Sequence, residues 1–157
     1  MRKRSKYKKN EVIADYVFKR GDVSRFINYL MEDGRKSVAE KIFYSALENI
    51  KNITKEDGLQ IFEKAMTNAS PLLEVVSKRV GGANYQVPRE VRPARKFFLA
   101  AHWIIDAARK KKGAPMNKKL AEEFLSASKN EGNAIKKKQD MHRMAEANRA
   151  FASFVRR

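Results

Sequence analysis

The sequence predicts a mainly α protein, a single-domain bundle of about six helices with one protruding two-stranded β-hairpin. Three observations lead there. Apolar residues recur at helical spacing in six separate segments. One segment, at about 74–88, alternates apolar and polar residues around a Gly-Gly pair. No internal repeat or Pro/Ser-rich linker divides the 157 residues, of which 43% are apolar. At that length roughly two thirds of the unfolded surface can be buried, enough for one core.

The elements follow in order. Residues 1–10 hold six bases and no acid, and are expected to form an arm that stays disordered alone. Residues 11–157 are expected to form one helical domain. Val23, Phe26, Ile27, Leu30 and Met31 mark the first helix, with Asp22 as N-cap and Gly34 as the stop. Val38, Ala39, Ile42, Phe43, Ala46, Leu47 and Ile50 mark the second. Leu59, Phe62, Ala65, Met66 and Ala69 mark the third, closed by Pro71. After the hairpin, Pro93 opens a fourth helix that runs to about Lys111, since its fixed φ suits a first turn. A fifth begins near Pro115 and stacks Leu120, Ala121, Phe124 and Leu125; the last covers roughly 133–150.

Within the hairpin, Gly81 and Gly82 supply the positive φ angles of a tight two-residue turn. Pairing Val80 with Ala83 then sets Lys78 opposite Tyr85 and Val76 opposite Val87. Arg79 meets Asn84 and Ser77 meets Gln86 on the other face, which is almost wholly polar and carries a cation. Pro88 ends the alternation, and Arg89, Arg92, Arg95 and Lys96 follow. A basic ribbon with an aromatic among its cations suits a nucleic-acid groove better than a small-molecule pocket. Its tip, Gly81, Gly82, Ala83 and Asn84, is slim enough for a crowded RNA cleft.

Charge is distributed unevenly. The net +17 divides into +6 over residues 1–36, −2 over 37–76 and +13 over 77–157. Both ends are therefore expected to face a polyanion, bound by phosphate neutralisation and counterion release. Cysteine is absent, and His102 and His142 sit in no metal-ligand motif, so no cofactor or metal is expected. The longest apolar stretch, Phe97–Ile105, contains His102 and is too short to span a bilayer. No signal-peptide pattern follows the basic N-terminus, and an intracellular protein is expected.

Several basic groups stand out. Arg35-Lys36 beside Gly34 places two cations where the second helix exposes its first N–H groups. Arg109-Lys110-Lys111-Lys112 carries more charge than complementing a helix dipole requires. Lys136, Lys137 and Lys138, with His142, Arg143 and Arg149, make the last helix basic on several sides. His142 serves equally well as a core hydrogen-bonding group or an RNA contact. Trp103, Met141 and Met144 read as core, and Tyr85 as the stacking platform for a base. Glu122-Glu123 reads as a solvated face. Ser126-Ala127-Ser128-Lys129 matches a serine-hydrolase pattern without its partner motifs, so no catalysis is expected.

Three blocks resemble a known family. They are YQVP with EVRP after the Gly-Gly turn, Asp140-Met141-His142-Arg143-Met144-Ala145-Glu146-Ala147-Asn148, and Phe26-Ile27-Asn28 followed by Met31 to Lys36. Together they are similar, in order and over nearly the whole chain, to the universal small-subunit ribosomal protein seven family of bacterial type. The resemblance implies a structural constituent of the ribosome that binds the 3′ major domain of small-subunit rRNA and nucleates head assembly. It implies RNA contacts from Arg2, Lys3, Arg4, Lys6, Lys8 and Lys9, from Arg35 and Lys36, and from Lys78 and Arg79. Arg92, Arg95 and Lys96, and then Lys136, Lys137, Lys138 and Arg143, complete the implied set, which Arg109 and Lys110 join on charge. The tip, with Tyr85, would lie near the exit-site tRNA and the mRNA path. Head proteins of the ninth and eleventh small-subunit families would be neighbours. The site would be cytoplasmic within the ribosome, or an organelle stroma or matrix if organelle-encoded. His102 departs from the arginine usual before the tryptophan, and the Phe154 to Arg157 tail departs from the family's ending. The rivals are a DNA-architectural basic protein with a β-arm and a hydrolase using Ser126; the Gly-Gly-Ala-Asn tip offers no wedge for base steps.

Overall fold

The computed structural model describes residues 12–156. It contains six α-helices, one two-stranded antiparallel sheet and a terminal 3₁₀ helix. The chain divides into two compact units, one ending at Glu40 and the other starting at Lys41.

In the first unit, buried Asp15 accepts the amides of Val17 and Phe18 at 3.1 and 2.9 Å, forming a turn ahead of α1 (Gly21–Leu30). The expected stripe is present, with Val23, Phe26, Ile27 and Leu30 buried. Both expected caps are corrected. The N-cap is Arg20 and makes no side-chain cap bond; Asp22 lies in the first turn, accepts the Val23 amide and pairs with Arg20. The helix stops at Leu30, and Gly34 serves the following turn at φ +72°. A side-chain oxygen two residues further on is too late to cap the first turn.

α2 (Lys36–Thr54) begins in the first unit and continues into the second. In the second unit follow α3 (Gly58–Ala69), β1 (Leu73–Val80), β2 (Ala83–Glu90), α4 (Pro93–Lys110), α5 (Met116–Ser128), α6 (Asn133–Ala147) and the 3₁₀ helix Arg149–Arg156. The core is a triangle of edge-to-face rings. Phe62 of α3 lies 5.4 Å from both Phe43 of α2 and Phe124 of α5, which are 6.4 Å apart. α3 packs on α4, α5 and α6, and α4 on α5 and α6. Trp103 belongs to the core as expected; Met144 does not, being 48% exposed. On a helix whose buried residues are Ala134, Ile135 and Ala145, the methionine's phase falls outside the stripe.

Glu123 is also corrected, since it is 1% exposed. Its Oε1 accepts the Ala134 amide at 3.2 Å, and its Oε2 lies 3.2 Å from Lys111 Nζ. It thus caps α6 from a neighbouring helix, where the negative charge also meets the positive end of the helix dipole. Gly132 approaches at φ +93°, and a Cβ there would stand 3.1 Å from Glu123 Oε1.

The ribbon has the expected register, from Val80–Ala83 through Lys78–Tyr85 to Val76–Val87. Gly81 and Gly82 have φ of +57° and +90°, as a type I′ turn demands. The strands run further than expected, to Leu73 and Glu90. Pro88 does not stop β2. Counting from the turn, alternate pairs exchange ladder hydrogen bonds, and Val75–Pro88 falls on a pair that does not, so no rung is lost.

Candidate nucleic-acid interface

The ribbon is packed at its root and open at its tip. Val87, Pro88 and Glu74 are buried, whereas Gly81, Gly82, Ala83 and Asn84 are exposed, with no atom near enough to touch a Cβ added at either glycine. Ser77, Arg79, Asn84 and Gln86 are all exposed, so the polar face is as expected. Lys78 lies on the opposite, half-buried face with Tyr85. One side of the Tyr85 ring meets Phe151, 5.2 Å away between centroids and tilted by 52°.

Glu74 anchors the root, and the sequence reading missed it. Its side chain is 7% exposed. Oε1 accepts from Arg89 Nε at 2.9 Å and Nη2 at 2.7 Å, and Oε2 accepts from Arg95 Nε at 3.2 Å. Burial works to raise this carboxyl's pKa, but the hydrogen bonds from Arg89 and Arg95 outweigh it and hold the pKa below the usual glutamate value. Arg95 also lies over the Phe98 ring, 4.9 Å from its centroid. The signal lay in the register, because Glu74 and Arg89 are cross-strand partners once the strands pass Pro88.

α6 holds the ribbon from the other side. The Leu72 amide donates to His142 Nε2 at 3.0 Å, just before β1 begins. His142 is therefore a structural acceptor. Burial and the nearby Lys138 charge lower its pKa below 6.5. A base with a depressed folded pKa contributes full stability above its unfolded pKa and loses it as pH falls toward the folded value. Acidification from pH 7.5 to 5.5 is thus expected to lower the protection factor of the Leu72 amide, its exchange being compared with the intrinsic rate at each pH, with His142 titrating below 6.5 by NMR. Titration at or above that value would contradict the assignment.

The remaining expected contacts separate into two groups. Arg79, Arg92, Lys110 and Lys136 are exposed, as are Arg35 and Lys36 in the first unit. Lys96 is half-buried and Arg109 exposed. Arg143 is 80% exposed at its side chain and pairs with Asp140. Others are engaged by neighbouring groups of the fold. Lys138 Nζ donates to the Asn68 carbonyl at 2.6 Å, near the end of α3, while Asn68 Nδ2 bonds the carbonyls of Ala127 and Ser128. Lys137 pairs with Asp106 at 3.3 Å, and Lys111 with Glu122 and Glu123. Arg2, Lys3, Arg4, Lys6, Lys8 and Lys9 lie outside the described residues.

The geometry unites the ribbon, the start of α4 and α6. Arg109 and Lys110 sit at the far end of α4, roughly 21–27 Å along its axis from Arg95 and Arg92, and cannot meet the same phosphates. His102 bonds the Phe98 carbonyl through Nδ1 at 2.9 Å and lies against the Phe98 ring, 4.0 Å between centroids. Ser126 Oγ donates to the Glu122 carbonyl, an ordinary helix back-bond. Among the described residues no helix is long and apolar enough to cross a membrane, and no cluster of His, Cys, Asp or Glu could hold a metal.

Comparison with known proteins gives the family. A sequence profile described as "Ribosomal protein S7p/S5e" matches residues 1–149. The chain belongs to this ribosomal protein family. It is 51% identical to the small ribosomal subunit protein uS7 of Thermotoga maritima over 152 residues, covering 97% of this chain and 98% of the relative. It is 50% identical to that of Methylococcus capsulatus over 154 residues, covering 98% and 99%. With Fervidobacterium nodosum uS7 the identity is 52% over 143 residues, covering 91% and 92%. Members are structural, non-enzymatic ribosomal proteins.

Proposed function

We propose that this chain binds the 3′ major domain of small-subunit rRNA directly and nucleates assembly of the subunit head. The observation that carries this reading is the ribbon. Its root is tied to α4 and α6, and its open tip and Arg79-bearing face are available to a polyanion. Phosphate contacts from Arg79, Lys78, Arg92, Arg95, Lys96, Lys136 and Arg143 would position the protein, with Arg35-Lys36 and the N-terminal arm adding contacts of their own. Arg109 and Lys110 would reach a separate stretch of backbone. Lys137 and Lys138 contribute mainly long-range charge, because their ammonium groups already serve the fold. The tip, Gly81 to Tyr85, would lie near the exit-site tRNA and the mRNA path, with head proteins of the ninth and eleventh families adjacent.

Arg79→Ala and Lys78→Ala test the reading. Each is expected to weaken binding to a transcript of that rRNA domain and to lower the salt slope by about one. Arg79→Ala should have the larger effect, because Lys78 lies on the half-buried face. Neither should move the thermal melting midpoint appreciably. Unchanged affinity in both, or preference for duplex DNA in competition, would overturn the reading.

A further inference from the structure

We propose that Arg89 and Arg95, held on the two oxygens of buried Glu74, form a preset two-guanidinium site for one backbone phosphate, with Glu74 as its positioning residue. The inference rests on the RNA-binding reading above and adds Arg89 and Glu74 to it.

A buried carboxylate needs compensation, and one well-placed arginine supplies it. Here two arginines share one carboxylate, so the trio carries a net positive charge. Neither guanidinium is used up. The side chains of Arg89 and Arg95 remain 52% and 49% exposed. Glu74 occupies the Nε edge of each, and Phe98 lies under one face of Arg95. The groups are thus oriented before any ligand arrives, and little side-chain entropy is left to lose on binding. Planar guanidinium forks match a phosphate's oxygens bidentately, which ammonium groups cannot do. Two such forks converging from one carboxylate suit one phosphate better than two.

The location adds reach. Arg89 borders two surface grooves, one with Val76, Ser77, Lys78 and Val87, the other with Leu73, Pro88, Glu90 and Arg149. An RNA strand entering either would meet Arg89.

The test is Glu74→Gln in the full chain, measured against a transcript of the 3′ major domain. Removing an acid from a polyanion binder should strengthen binding if net charge alone mattered. If Glu74 orients the arginines, affinity should instead fall about tenfold, with the salt slope reduced by about one. Adding Arg89→Ala to Glu74→Gln should cost less than Arg89→Ala alone, because the two act on one site. Equal or tighter binding by a folded Glu74→Gln chain, or full additivity with Arg89→Ala, would overturn the proposal. Should Glu74→Gln fail to fold, Arg89→Lys carries the test. It keeps the charge but loses the fork, and is expected to weaken binding nearly as much as Arg89→Ala; full retention would overturn the site. Failure of the unsubstituted chain to bind the transcript would instead remove the underlying RNA reading.

Discussion

Raising monovalent salt from 50 to 200 mM is expected to weaken binding of this chain to small-subunit rRNA by roughly 10³–10⁵-fold. The estimate assumes ~6–10 phosphate contacts, each releasing nearly one counterion. Residues 77–157 alone carry 20 bases, so a naive count would give a far steeper dependence. The structure explains why it should be shallower. Lys111 and Lys138 already neutralise or satisfy groups within the fold, and Lys137 pairs with Asp106. Filter binding or anisotropy across the salt range decides the matter. A flat response would remove phosphate neutralisation as the driving force, and a slope near the total number of bases would mean non-specific condensation.

Phe62→Ala is expected to cost about 3–5 kcal/mol of folding stability. That is a large share of the ~5–15 kcal/mol typical of a domain. Phe62 is 1% exposed, and its ring meets Phe43 and Phe124 edge-on at the junction of α2, α3 and α5. Truncation loses both aromatic contacts and leaves a cavity between three helices that cannot all close in at once. Urea denaturation measures it, as a lower midpoint at unchanged slope. A loss below about 1 kcal/mol would show that the triangle is not the centre of the core. Where the variant is folded it should bind RNA normally, since Phe62 is 1% exposed and lies in the core.

Much of the fold was legible in the sequence because its cues are local. Two adjacent glycines fixed the turn, and the turn alone sets the pairing from Val80–Ala83 to Val76–Val87. Helical stripes placed Phe43, Phe62, Trp103 and Phe124 inside. What was not legible depends on neighbours distant in the chain. Glu123 looked solvated beside Glu122, and nothing near it in sequence reveals that Ala134 needs a cap. Lys138 looked like part of a basic stripe, yet the carbonyl it satisfies is 70 positions away. Of the site, the exposed cations of the ribbon and of the start of α4 were readable. The carboxylate that organises two of them was not, because Pro88 looked like a strand end.

Pro88 has a consequence for solution behaviour. A two-stranded ribbon exposes outer edges that could recruit a further strand and seed aggregation between copies. On β2, proline removes an N–H from that outward row without disturbing the inward one, and at this buried root the strand packs on the 3₁₀ helix, which closes that part of the edge to an incoming strand. With lysine and arginine side by side on β1, the arm is guarded against self-assembly before its proper partner arrives.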